Sequence, residues 1–272
     1  MHSLPQPENR AFTLARGRLR PPATPHRTRV MSIWEYANPR RFMALSARVQ
    51  PWVWGVAIVL SGSGLIWGFF FTPEDFRMGY SVKIIYLHVP SAFLAINAWF
   101  MMLVASLIWL IRRHHVSALA ARAAAPIGLV MTAVALLTGA IWGKPMWGTY
   151  WEWDPRLTSF LILGLFYLGY IALWSAIENQ DAAADLTSIL CLVGTVFAVL
   201  SRYAAQFWNQ GLHQGASLSL DAQENISDVF WLPLVVTLAG FVALFLALVL
   251  MRTRTELRRR RLHSLAAKAR LA

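Results

Sequence analysis

The chain has 272 residues, 57% of them apolar and only 14% charged, whereas an average soluble domain is about a quarter charged. The formal net charge of +12 would by itself suit a nucleic-acid partner, but the basic residues sit at the ends of long apolar runs rather than on one polar domain. Composition and charge distribution together exclude a soluble globular domain and argue against a nucleic-acid partner.

Residues 1–30 are rich in Pro and Arg and lack an apolar run, so the expectation is a disordered segment rather than a secretory signal peptide. A more ordinary sequence, MSIWEYANPRRF, begins at Met31, and the preceding stretch is compatible with an upstream extension. Stretches free of Asp, Glu, Lys and Arg then follow at 51–73, 84–111, 123–143, 157–177, 186–201 and 229–251. Most reach the roughly 20 residues that a bilayer core demands of a helix, and the fifth extends through Arg202 to about Phe207. Period-2 alternation is absent, so these are helices rather than barrel strands. The expected fold is all-α, a polytopic membrane protein with six transmembrane helices.

All but five of the 25 basic residues fall in the N-terminal segment, the loop with Arg112, Arg113 and Arg122, or the tail from Arg252 to Arg270. The exceptions are Arg77, Lys83, Lys144, Arg156 and Arg202. The positive-inside rule places both termini in the cytoplasm. The expected organisation is a cytoplasmic segment at 1–49, a six-helix domain at 50–252 and a basic cytoplasmic tail at 253–272. The inner loops are read at 112–122 and 178–185, the outer loops at 72–83, 143–156 and about 206–227. No sequence repeat relates the two halves, which weakens an inverted-repeat transporter reading.

Two kinds of chemistry drop out. Cys191 is the only cysteine, so the chain has no internal disulfide and no CxxC pair; it reads as a packing residue. GAIWGKP at 139–145 lacks the Walker A spacing, which needs four residues between the glycines and Ser or Thr after the Lys. If ATP drives the system, another subunit binds it.

Of seven histidines only two lie at the outer face: His88 in YLHVPSAF and His213 in WNQGLHQGAS. An isolated histidine at a helix end or in a loop is ordinarily just a hydrated polar group. Between these two lies WGKPMWGTYWEWDPRLTS, residues 142–159, with Trp142, Trp147, Trp151 and Trp153. An interfacial aromatic belt accounts for scattered tryptophans; this density favours an apolar platform for a planar ligand. Trp147 and Trp151 would share a face if that stretch were helical. Two imidazoles are too few for structural zinc but can hold a metal axially when a flat macrocycle fills the other positions. Asp154-Pro155 reads as a helix N-cap followed by Pro at the first helical position. Arg156, Lys144 and Lys83 are cations that can face ligand carboxylates or pair with Glu152 and Asp154, and the residues alone do not choose.

The same segments resemble the tryptophan-rich WWD motif, with its two flanking histidine segments, of the haem-handling membrane proteins of cytochrome c maturation. Six helices and this length resemble the haem exporter C branch rather than its larger relatives, and the likeness covers roughly residues 34–252. Tyr150 stands where an aromatic residue is expected. The resemblance implies a non-enzymatic subunit of a bacterial inner membrane that holds haem, bound transiently as b-type haem, at the periplasmic face and loads it onto a periplasmic haem chaperone. It implies His88 and His213 as axial ligands, with Trp142, Trp147, Trp151, Trp153, Asp154 and Arg156 forming the haem and chaperone surface. It also implies an ABC transporter partner, with membrane and ATPase subunits, and a small membrane subunit. The rival expectation is a transporter carrying haem or another small ligand through its own helices. That needs polar residues at membrane depth, of which the runs hold few beyond Asn97 and some Ser and Thr.

Overall fold

The computed structural model describes residues 38–207 and 226–270. They form α1 (Pro39–Phe71), α2 (Ile85–Arg112), α3 (His115–Trp147), α4 (Pro155–Ala176), α5 (Gln180–Phe207) and α6 (Asp228–Ala269), with a 3-10 turn at Tyr80–Ile84 leading into α2. Each of the six is long and apolar enough to cross a bilayer. The all-α, six-span expectation holds, and no strand occurs among the described residues.

Local chemistry explains where the helices start and stop. Asn38 caps α1, its side chain accepting from the Arg40 amide at 3.0 Å, with Pro39 in the first turn. His114 caps α3 through Nδ1, which accepts from the Ser117 amide at 3.2 Å. Between α2 and α3 only Arg113 and His114 intervene, and Arg113 takes a left-handed φ of 51° to reverse the chain. The loop expected at 112–122 is therefore mostly helix. Its charge is carried at low cost because Arg122 pairs with Glu256 at 3.2 Å and lies over the Trp174 ring at 4.9 Å.

The 42-residue α6 runs past its apolar stretch into the basic tail. Among the described residues that extension is tied to the bundle by the Arg122–Glu256 pair, an Arg260–Asp181 pair at 3.2 Å and Arg252 Nε donating to the Ala123 carbonyl at 3.2 Å. Asp185 joins the same end by pairing with Arg113 and accepting from Trp109 Nε1 at 2.9 Å. Likewise α1 begins at Pro39, well before its charge-free run.

Packing centres on α2, which touches α3, α5 and α6, while α3 touches α4. Trp99, Trp109 and Tyr167 are fully buried there. Their polar atoms are satisfied in place: Tyr167 OH donates to the Ala95 carbonyl at 2.7 Å, and Trp99 Nε1 to the Cys191 carbonyl at 3.2 Å. Cys191 is buried in this core, as a packing residue should be. Helix α1 rests chiefly on α6, where a Cβ on Gly240 would stand 2.3 Å from the Ser61 amide nitrogen. Close approach through small residues is how helices associate when lipid supplies no hydrophobic drive. The remaining surface of α1 presents Trp52, Phe70 and Phe71 outward.

Candidate functional site: a histidine and two arginines in one apolar cavity

The connections 72–84 and 148–154, and the ends of α5 and α6, meet at one end of the bundle, opposite the Arg122–Glu256 end. A cavity of about 300 Å³ opens there, with a mainly apolar lining, at the lower end of ordinary ligand sites of about 300–1,000 Å³. Helix α2 contributes Ile85, His88, Val89, Ala92, Phe93, Ile96 and Asn97, a stripe at three- and four-residue spacing. Asn97 is nine positions beyond His88, which at 1.5 Å per residue is about 13 Å deeper. The cavity thus runs along α2 from His88 to Asn97, where its wall is exposed at the outer surface of the bundle.

His88 is held by α3. Its Nδ1 lies 3.0 Å from Thr138 Oγ1. That hydroxyl has one proton, which it gives to the Val134 carbonyl at 2.6 Å. It must therefore accept from His88 Nδ1–H, which puts the imidazole lone pair on Nε2. A hydrogen bond at one ring nitrogen fixes the orientation of the ring and of the other nitrogen. Gly139 makes room for the ring, since a Cβ there would stand 3.0 Å from His88 Cε1. No group of three or more His, Cys, Asp or Glu suited to a bare metal ion occurs among the described residues. His213 lies outside the described residues; its segment joins Arg202 to Ile226, both of which line the cavity.

The four tryptophans divide into two edge-to-face pairs. Trp142 and Trp147 sit on the last turns of α3, ring centroids 5.4 Å apart, and both line the cavity. Gly148 then ends α3 at φ 80°, its amide bonding the Lys144 carbonyl at 3.0 Å. Beyond this cap the chain is not helical, so Trp147 and Trp151 do not share a helix face. Trp151 and Trp153 pair instead, 5.5 Å apart, and are not among the residues lining the cavity. Trp153 is 75% exposed, and the Trp151 indole N–H is buried with no acceptor among the described residues.

The charges left open by the sequence are distributed by geometry. Asp154 caps α4, Oδ1 accepting from the Leu157 amide at 2.6 Å, with Pro155 as the first helical residue. Lys144 donates to the Gly148 carbonyl at 2.9 Å and lies over the Tyr150 ring. Lys83 donates to the Phe69 carbonyl at 2.8 Å. These lysines close helix ends. Arg156 and Arg202 instead line the cavity with His88. Gly139, Gly143 and Lys144 are all inside α3, so the 139–145 segment offers no phosphate loop.

The cleft thus combines a histidine, two indoles and two guanidinium groups in a mainly apolar wall, a set chemically suited to a planar ligand with anionic edges. Residues 32–268 match the family of heme exporter protein C. The chain belongs to that family. Among its relatives, heme exporter protein C of Rhodobacter capsulatus is 70% identical over 242 residues, 89% of this chain and all of the relative. The Paracoccus denitrificans protein is 68% identical, covering 88% of this chain and 98% of its own length. The Escherichia coli K12 protein is 41% identical, covering 82% and 89%.

Of the residues expected at the site, the structure brings together His88, Trp142, Trp147 and Arg156. It sets Trp151, Trp153 and Asp154 beside that cavity rather than in its wall. Sequence reasoning missed Thr138, Gly139 and Arg202. Arg202 did carry a signal, being an ionisable residue on an otherwise apolar span, which points to function by default. Thr138 carried none, because a threonine bonding back into its own helix looks like any other.

Proposed function

We propose that this protein is a haem-handling subunit of cytochrome c maturation, which holds haem at the Trp-rich end of the bundle and passes it to a periplasmic haem chaperone. The observation that carries the reading is His88, with Nε2 left as the basic nitrogen inside an apolar, Trp-lined cleft, in a chain of the heme exporter protein C family. His88 and His213 serve as axial ligands of the iron. Trp142 and Trp147 wall the ring, and Arg156 meets a propionate. Haem is cargo here: the protein binds it, orients it and shields its faces from water, and forms no covalent bond to it.

Trp153 and Trp151, on the rim, suit a protein contact. A large exposed aromatic beside a ligand cleft is the usual anchor of an interface. Asp154 fixes the start of α4 and thereby the position of Arg156 two residues later. ATP hydrolysis belongs to a partner ABC transporter, since the one Walker-like segment of this chain is helical. The Trp-rich end faces the periplasm of a bacterial inner membrane, with the basic end in the cytoplasm. A passage through the helices is the weaker reading. The described lining stops at Asn97 and Ala135, roughly halfway along α2, and Asn97 satisfies itself by donating to the Phe93 carbonyl.

The test is an absorption spectrum of the purified protein with added haem. A six-coordinate bis-histidine signature is expected, lost in His88→Ala and in His213→Ala. An unchanged spectrum in the double variant would overturn the ligand assignment.

A further inference from the structure

Building on that haem-handling reading, we infer that Arg202 acts with Arg156 as a two-cation clamp for both propionate carboxylates, so that the site recognises the dianionic edge of the porphyrin. Arg156 stands in the first turn of α4 and Arg202 near the end of α5, and both line the cleft that holds His88. A cation in an apolar cavity is costly unless a counter-charge reaches it. Among the described residues neither arginine has a carboxylate within the 4.0 Å of an ion pair. Asp154, whose Oδ1 accepts the α4 capping bond, is near enough for its negative charge to act on Arg156. Arg202 lies over the ring of its neighbour Tyr203, 5.4 Å from the centroid. The two guanidinium groups are also close enough for their charges to act on each other.

Two guanidinium groups lining one cleft, with only Asp154 acting as a counter-charge on one of them, suit a ligand with two carboxylates on one side. Guanidinium is the group that meets carboxylates with paired, charge-assisted bonds. The lysines at this end are engaged with the Phe69 and Gly148 carbonyls, so the arginines are the cations facing the cleft. Binding the propionates there leaves the opposite edge of the ring, which carries the vinyl groups, turned away from the arginines.

The experiment titrates the purified full chain with metal-free protoporphyrin IX and with its dimethyl ester, following porphyrin fluorescence. Omitting iron separates carboxylate recognition from axial ligation. The wild type should prefer the free acid by about tenfold or more. Arg202→Gln should reduce that preference by about tenfold, and Arg202→Lys should keep part of it. A merely structural role for Arg202 would weaken both porphyrins alike. An unchanged acid-to-ester ratio in Arg202→Gln therefore overturns the inference, as does a wild type indifferent to esterification that still binds haem. A wild type that binds neither haem nor either porphyrin would overturn the haem-handling reading itself, and this inference with it.

Discussion

Thr138 decides what His88 can do. An imidazole in an apolar cleft can present either nitrogen, and only the neutral, correctly oriented tautomer is a good ligand. Thr138 settles the choice because its proton is committed to Val134, so it can only accept from Nδ1. Thr138→Val keeps the shape and removes the acceptor. Haem affinity should fall by about 10–100-fold, the usual cost of deleting an outer partner of a metal-bound histidine. Thr138→Ser should retain most of it. Haem titration of the two variants is the measurement, and equal affinity in Thr138→Val and wild type would refute the tautomer argument. His88 itself was legible in the sequence as one of two histidines at the outer face. Thr138 was not, because it lies 50 residues away and meets the imidazole only when α2 and α3 pack.

At the scale of the element, helix ends are set by polar chemistry that apolar runs do not report. The six runs located six helices, yet α3 and α6 extend well into charged sequence. Arg122 and Glu256 are tolerated there because each answers the other, with side chains 21% and 10% exposed. Glu256→Ala would leave Arg122 largely buried without that partner, a loss of about 3 kcal/mol by analogy with other broken buried pairs. The α6 extension should then fray, and limited trypsin digestion should cut faster among Arg258–Arg261 than in wild type. At the other end of the bundle the Asp154-Pro155 start was legible from residue type and order alone. Asp154→Ala should cost about 1 kcal/mol and lower the melting temperature by about 2–4 °C, whereas Asp154→Asn, which also caps, should stay near wild type. If Asn proves as damaging as Ala, the carboxylate acts through its charge on Arg156 rather than through the cap.

At the scale of the whole molecule, span count and the grouping of loops at two ends were legible, because charge-free length and alternation are one-dimensional properties. The cavity was not, since its wall is assembled from five helices and depends on which side chains turn inward. The sequence suggested a flat tryptophan platform; packing instead makes a cleft walled by Trp142 and Trp147, with Trp151 and Trp153 outside it. Charge gives an expectation for the direction in which the bundle is inserted. The end carrying Arg113, Arg122 and the α6 extension should remain in the cytoplasm, because arginines close to the ends of spans resist translocation. Cys191, the only cysteine, is fully buried, so single-cysteine labelling needs no background removal. Tyr150 is 60% exposed on the Trp-rich loop, and Arg258 is exposed on the α6 extension. In intact cells whose outer membrane has been made permeable, a membrane-impermeant maleimide should label Tyr150→Cys and spare Arg258→Cys. Lysis should make both reactive. The reverse pattern would invert the expected topology and put the His88 cleft on the cytoplasmic side, where the proposed transfer to a periplasmic chaperone could not occur.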